Sequence, residues 1–215
     1  MIEITKINTD EALRYMGYKK GVALPEQMEK LLADCEKELI GALDIKYVCR
    51  EFALPCREIM GGRDIEEHLR GCESVVLMCA TLGNRVDSLI RRESVANMDK
   101  AVVLDALASA AIEQVCDEID GQIHKSHPGK FQTSRFSCGY GDYPIEKQGD
   151  FLRLLDAPRK IGLCTAQSCA LEPAKSVTAA VGISQTPPNK RRRGCAGCNM
   201  KEVCQFRKGG SHCEF

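Results

Sequence analysis

Residues 74–82 read Ser-Val-Val-Leu-Met-Cys-Ala-Thr-Leu (SVVLMCATL). Nine residues are too few for a core helix, and the run is apolar throughout, so the stretch predicts a strand buried on both faces. Gly83-Asn84 breaks it, and Asn84 is expected to cap a helix carrying Val86, Leu89 and Ile90. A second run, Ser176–Ser184 (SVTAAVGIS), is expected to be another strand of the same kind. Between them Asp99–Ile119 carries the strongest helical periodicity. Val103, Leu104, Leu107, Ala108, Ala111, Ile112, Val115 and Ile119 form one broad apolar stripe.

Working outward, Pro25–Ala42 reads as a helix with Pro25 at its first position and Met28, Leu31, Leu32, Cys35 and Leu39 on one side. Lys46–Leu54 reads as a strand, Arg63–Arg70 as a brief helix and Phe131–Phe136 as a strand. Glu146–Leu155 reads as a helix ended by Ala157-Pro158. Helices and strands interleave without a regular βαβ rhythm. The expected fold is α+β: a single domain with a central, mainly antiparallel twisted sheet and flanking helices.

After Thr186 the composition changes, which sets the expected boundary between a body, 1–186, and a basic Cys-rich tail, 187–215. The tail holds seven Lys/Arg against two acids, a charge of +5. The chain is neutral, so the body carries −5. No run approaches the length of a membrane span, and the start MIEITKINTD lacks a signal-type apolar stretch, so the expected location is cytoplasmic. Nine of the 13 cysteines are scattered, most of them within apolar or amphipathic segments, where a reduced Cys acts as a small hydrophobe.

The other four, Cys195, Cys198, Cys204 and Cys213, form a C-x2-C-x5-C-x8-C array. The first pair has the spacing at which two thiolates reach one tetrahedral metal, so a Zn²⁺ site or an iron–sulfur cluster is expected, with His212 as a substitute ligand. A loose reduced tail or a disulfide pair is the alternative. The chain has no dinucleotide or P-loop glycine motif and no nucleophile elbow. His68, His124, His127 and His212 are dispersed.

Residues 135–144, RFSCGYGDYP, gather a cation, two glycines and two tyrosines in a chain with 5% aromatics. Arg135 at a strand end can grip a carboxylate with its planar fork. Gly139 and Gly141 allow close backbone approach to a ligand. Tyr140 and Tyr143 can stack on a base or cover a sulfonium. An irregular turn with a surface arginine is the alternative.

This stretch and its continuation, EKQGDFLRLLDAPRKIGLCTAQSCALEPAKSVTAA (146–180), resemble the S-adenosylmethionine-binding activation domain of cobalamin-dependent methionine synthase. The family's R-x-x-x-G-Y-x-x-x-P, later I-G and S-x-A-M-x-P-x-x-S-V are met by Arg135, Gly139, Tyr140, Pro144, Ile161, Gly162, Ser168, Ala170, Pro173, Ser176 and Val177. Lys147, Leu154 and Leu155 match the helix between them, and Cys138 and Leu171 depart from the family's Pro and Met. RYMGY (14–18) and ATLGNRVD (80–87) are similar to small stand-alone relatives, extending the resemblance over 1–184.

The resemblance implies that Arg135, Ser137, Gly139 and Tyr140 hold S-adenosylmethionine. It implies that the methyl group is presented to cob(II)alamin while an electron donor reduces the cobalt. The chain lacks a D-x-H-x-x-G corrinoid motif, so the cobalamin is expected on a partner: a methionine synthase or another corrinoid protein. Two other readings compete: a non-catalytic corrinoid-protein binding module, and a nucleic-acid binder using the basic tail. The acidic body disfavours the latter.

Overall fold

The computed structural model describes residues 2–19 and 21–188. Four strands form one sheet in the order β1-β2-β6-β3, with every pairing antiparallel. They are β1 (Lys46–Ala53), β2 (Ser74–Thr81), β3 (Phe131–Gln132) and β6 (Ser176–Ser184). A small hairpin, β4 (Cys164–Thr165) with β5 (Leu171–Glu172), stands apart. The helices are α1 (Thr9–Tyr15), α2 (Glu26–Ala42), α3 (Arg63–His68), α4 (Asn84–Ala96), α5 (Met98–Ser126), α6 (Gln148–Leu155) and α7 (Ala157–Ile161). The α+β expectation holds. Among the described residues no helix is long and apolar enough to cross a membrane.

The sheet is the middle of three layers. Val76, Met78 and Ala80 of β2, with Ala179, Val181 and Ile183 of β6, join a core that also holds residues of α1, α2, α4 and α5. Val75, Leu77 and Cys79, with Ala180, join a second core on the other face, built with α3, α6 and α7. Successive strand residues point to opposite faces, so a strand covered on both sides needs apolar residues at every position. That is why SVVLMCATL is continuous rather than alternating.

Several element boundaries differ from expectation. Pro25 is the residue before α2, with extended ψ 144°, rather than its first helical residue. Asn84 begins α4 and does not cap it: Gly83, at φ 87°, occupies the cap position, where a Cβ would lie 2.9 Å from Asp44 Cβ. Helix α5 starts earlier and ends later than the apolar stripe alone suggested. Asn97 caps it by accepting from the Lys100 amide at 3.2 Å, and Ile123 extends its buried face. Pro158 does not end the helix before it. Asp156, at φ 55°, breaks the chain, and Pro158 sits at the start of α7.

The largest difference is in β3. The expected strand 131–136 is paired only at Phe131 and Gln132, and pairing resumes at Phe136 with Ala180. Residues 133–135 thus face only residues 181–182, a β-bulge. Thr133 stitches it: its amide donates to Gly182 O and its Oγ1 accepts from Gly182 N, both at 2.9 Å. His68 Nε2 lies 2.9 Å from both Thr133 Oγ1 and Ser134 O. The bulge bends the edge strand just before the glycine–tyrosine loop.

Candidate functional site

Arg135 is the last residue of the bulge and points to the α5 side of the sheet, while Phe136 points to the other core. The guanidinium meets three carboxylates of α5: Glu113 at 2.9 Å, Asp117 at 3.0 Å and Asp120 at 2.7 Å. These lie at successive turns of one helix face. The arginine side chain is only 21% exposed, so the cluster is partly desolvated. Burial pushes the Asp120 carboxyl above the ordinary carboxylate range, and Arg135 offsets this in part. Asp120 Oδ1 and its neighbour Gln132 Oε1 are buried without a hydrogen-bond partner among the described residues. The Cys116 thiol on the same helix is pushed up to about 12 by burial.

The arginine expected to be open for a ligand carboxylate is therefore held by the protein's own acids. Nη1 donates to Asp117 and Asp120 and Nη2 to Glu113, which takes three of the five N–H donors a guanidinium has. The acid row was missed in the sequence. Its signal is Glu113, Asp117 and Asp120 recurring beside the apolar stripe of α5.

Beyond Phe136 the chain makes a tight bend. Gly139, at φ 87°, donates its amide to Tyr143 O at 2.9 Å, and the Tyr143 amide donates to Tyr140 O at 3.0 Å. The two tyrosines, both expected to cover a ligand, separate. Tyr143 is 2% exposed; its hydroxyl donates to Ile59 O at 2.6 Å, and its ring stacks on Phe136 at 6.0 Å. It anchors the bend to the core and is not available for stacking. Tyr140 is 63% exposed. Cys138 is buried beneath the bend, and its thiol is raised to about 11 by that burial.

Gly141 also departs from its expected role. A Cβ there would overlap Asp64 Oδ2, so the missing side chain admits α3 rather than a ligand. Asp142 accepts from the amides of Arg63 and Asp64, each at 2.9 Å, and Asp64 Oδ2 accepts from the Asp142 amide at 3.1 Å. Lys147, one of the motif positions, donates to Glu58 O at 2.8 Å and supports the same junction.

Arg135, Ser137, Gly139 and Tyr140 thus follow one another along the bulged edge and its bend, but they line neither of two open clefts elsewhere on the protein. An open cleft of about 810 Å³ lies between α2 and α4, lined by Asp34, Glu38, Arg85 and Arg92 among others. One of about 440 Å³ lies beside α6, lined by Arg153, Asp156 and Cys164 among others. Cys195, Cys198, Cys204 and Cys213 lie outside the described residues. Among the described residues no group of three or more His, Cys, Asp or Glu is arranged to hold a metal ion.

An antiparallel four-stranded sheet between two helical layers, with a bulged edge leading to an arginine–glycine–tyrosine bend, defines the class of fold. No protein-family model matches the chain, and no curated protein is similar to it at a significant level. A solved structure is: the MetH reactivation domain bound to AdoHcy matches with a TM-score of 0.62 and 14% sequence identity, over 95% of this chain and 82% of that one. At that identity the likeness is one of fold, and it extends over nearly the whole chain. The likeness to the activation domain that the motifs pointed to is therefore found in three dimensions as well.

Proposed function

We propose that this protein binds S-adenosylmethionine on the Arg135–Pro144 bend and presents its methyl group to cob(II)alamin carried by a partner. It would thereby reactivate a cobalamin-dependent methionine synthase or a related corrinoid methyltransferase. The observation that carries this reading is the fold likeness over 95% of the chain to a domain that was solved with AdoHcy, the demethylated form of the same cofactor.

The residues present fit such a ligand. S-adenosylmethionine has a carboxylate, an ammonium and a sulfonium. Two guanidinium donors of Arg135 remain beyond its three bonds to α5, enough for a carboxylate. Three acids against one arginine leave the cluster negative, which suits a ligand with two cationic centres. The exposed carboxylates of Glu113 and Asp117 are acceptors for an ammonium. In this reading Ser137 and Gly139 offer backbone contacts, and Tyr140 lays its exposed ring on the ligand.

The chemistry itself belongs to the cofactors. Cobalamin on the partner, reduced by an electron donor, would supply the methyl acceptor, and S-adenosylmethionine would give up its methyl group with the C–S bonding pair left on sulfur. The protein's contribution is placement. The body, 1–186, performs this role in the cytoplasm. The tail, 187–215, is the metal-binding or docking unit, with Cys195, Cys198, Cys204 and Cys213 as thiolate ligands for zinc or an iron–sulfur cluster. An anaerobic absorption spectrum with metal analysis tests the tail: a brown protein with bound iron supports the cluster, a colourless one with one zinc replaces it, and neither metal refutes the site.

Calorimetric titration with S-adenosylmethionine tests the reading. Wild type is expected to bind, and Arg135→Ala to bind at least about tenfold more weakly, the loss of a charged hydrogen bond. No heat with wild type would refute it. The engagement of Arg135 by three carboxylates favours one other reading, a corrinoid-protein docking module without a ligand. That module would bind the partner and show no heat with S-adenosylmethionine.

A further inference from the structure

We infer that Asp142 and Asp64 are positioning residues for the ligand bend: each carboxylate is seated on the other's backbone, and together they hold residues 137–143 in the one shape that presents Tyr140. This rests on the reading that the bend binds S-adenosylmethionine.

The bend cannot order itself. Its internal backbone bonds are three, Gly139 N to Tyr143 O at 2.9 Å, Tyr143 N to Tyr140 O at 3.0 Å and Tyr140 N to Ser137 O at 3.4 Å, and two of its residues are glycines at positive φ. Fixing the backbone costs about 1–2 kcal/mol per residue, and most for glycine. A bend that is ordered before the ligand arrives needs partners from outside. Tyr143 supplies one from below through Ile59. The contact with α3 supplies the other.

That contact is reciprocal. Asp142 Oδ2 and Oδ1 accept from the amides of Arg63 and Asp64, and Asp64 Oδ2 accepts from the amide of Asp142. Both segments give up a side chain to allow it. Gly62, at φ 149°, would place a Cβ 2.7 Å from Asp142 Oδ1 and 2.8 Å from Asp142 O, and Gly141 would overlap Asp64 Oδ2. Two glycines on distant segments thus serve one contact. Two like charges side by side repel, and the arrangement holds because each carboxylate accepts backbone N–H donors. Helix α3 is in turn fixed to the core by Ile65 within it and Leu69 at its C-terminal end, both buried. The bend therefore inherits its position from the sheet through α3.

If releasing the contact leaves the bend seated about one-tenth of the time, apparent affinity falls about tenfold with the binding groups unchanged. The experiment titrates S-adenosylmethionine into the full chain as wild type, Asp142→Ala, Asp64→Ala and the double variant, with hydrogen exchange on the same proteins. Each single variant is expected to bind about tenfold more weakly and the double no more weakly than either single, because both break one contact. Asp142→Asn, which keeps one acceptor oxygen, is expected to fall between wild type and Asp142→Ala. The amides of Arg63 and Asp64 are expected to exchange faster in Asp142→Ala while those of α5 do not, which shows an intact fold. Wild-type affinity in the single variants, or a double variant weakened by the product of the two, overturns the inference alone. No binding by wild type overturns the inference together with the reading beneath it.

Discussion

The centre and the edge of the sheet are built on opposite terms. Strands β2 and β6 pair without interruption from Ser74↔Ile183 to Thr81↔Ser176, and both of their faces are covered. Strand β3 pairs with the same β6 over two residues, bulges through Arg135, touches again at Phe136 and then turns away into the bend that ends at Pro144. The centre holds its residues by non-directional apolar burial. The edge holds its residues by directed polar contacts: Thr133 on Gly182, Arg135 on α5, Asp142 on α3. Stability and candidate function are thus divided within one sheet, and substitutions in the two places should fail differently.

The largest effect is expected at the centre. Leu77→Ala empties a fully buried position beside α6 and should cost about 2–5 kcal/mol in urea unfolding, with ligand affinity under native conditions unchanged. An equal loss of affinity in the folded variant would break the division.

Next comes Arg135→Ala. It leaves Glu113, Asp117 and Asp120 facing one another without their cation, and a cost of about 1–2 kcal/mol is expected from equilibrium unfolding, in addition to the weaker ligand binding. A variant as stable as wild type would mean that solvent already screens the cluster.

Two carboxylates at the edge should respond to pH with opposite sign. The Asp120 carboxyl is raised, chiefly by burial, so the folded state holds its proton more tightly than the unfolded chain. Its contribution to stability then falls as pH rises from the ordinary carboxylate value, about 3.9, to the raised one. The Asp142 carboxyl is lowered by the amides of Asp64 and Arg63. Its contribution is present above the ordinary value and is lost as pH falls through the lowered one. Thermal midpoints across the acid range should therefore lose a rising-pH penalty in Asp120→Asn and lose an acid-side decline in Asp142→Asn. Parallel profiles for both variants would contradict this assignment.

The smallest effect on stability is expected at Tyr140. Its ring is 63% exposed, so Tyr140→Ala should change unfolding by no more than about 0.5 kcal/mol. Removing an aromatic face from a sulfonium should still weaken binding by about 0.5–2 kcal/mol, measured in the same titration. Unchanged affinity would place the ligand away from this ring and sharpen attention on Arg135.

How much was readable beforehand follows the same division. The burial of β2, the amphipathic length of α5 and the extent of β6 were legible, because apolar patterning records burial directly and each element is long enough to show its period. Helix α1 and the β4–β5 hairpin went unseen, being too short to carry a pattern. The glycines of the bend were noticed, but their purpose was not. Gly141 reads as an opening for a ligand until Asp64, 77 positions earlier in the chain, is seen to fill the space. Tyr140 and Tyr143 look alike in sequence and differ wholly in burial.

The order of residues alone therefore determined the fold class, the two-sided burial of the central strands and the location of the arginine–glycine–tyrosine bend, because hydrophobic periodicity and turn chemistry are local properties. Only the tertiary structure decided what each polar residue of that bend touches. A hydrogen bond or ion pair depends on which distant backbone or carboxylate arrives beside it, and α3 and α5 bring theirs from segments that no local pattern connects to residue 135.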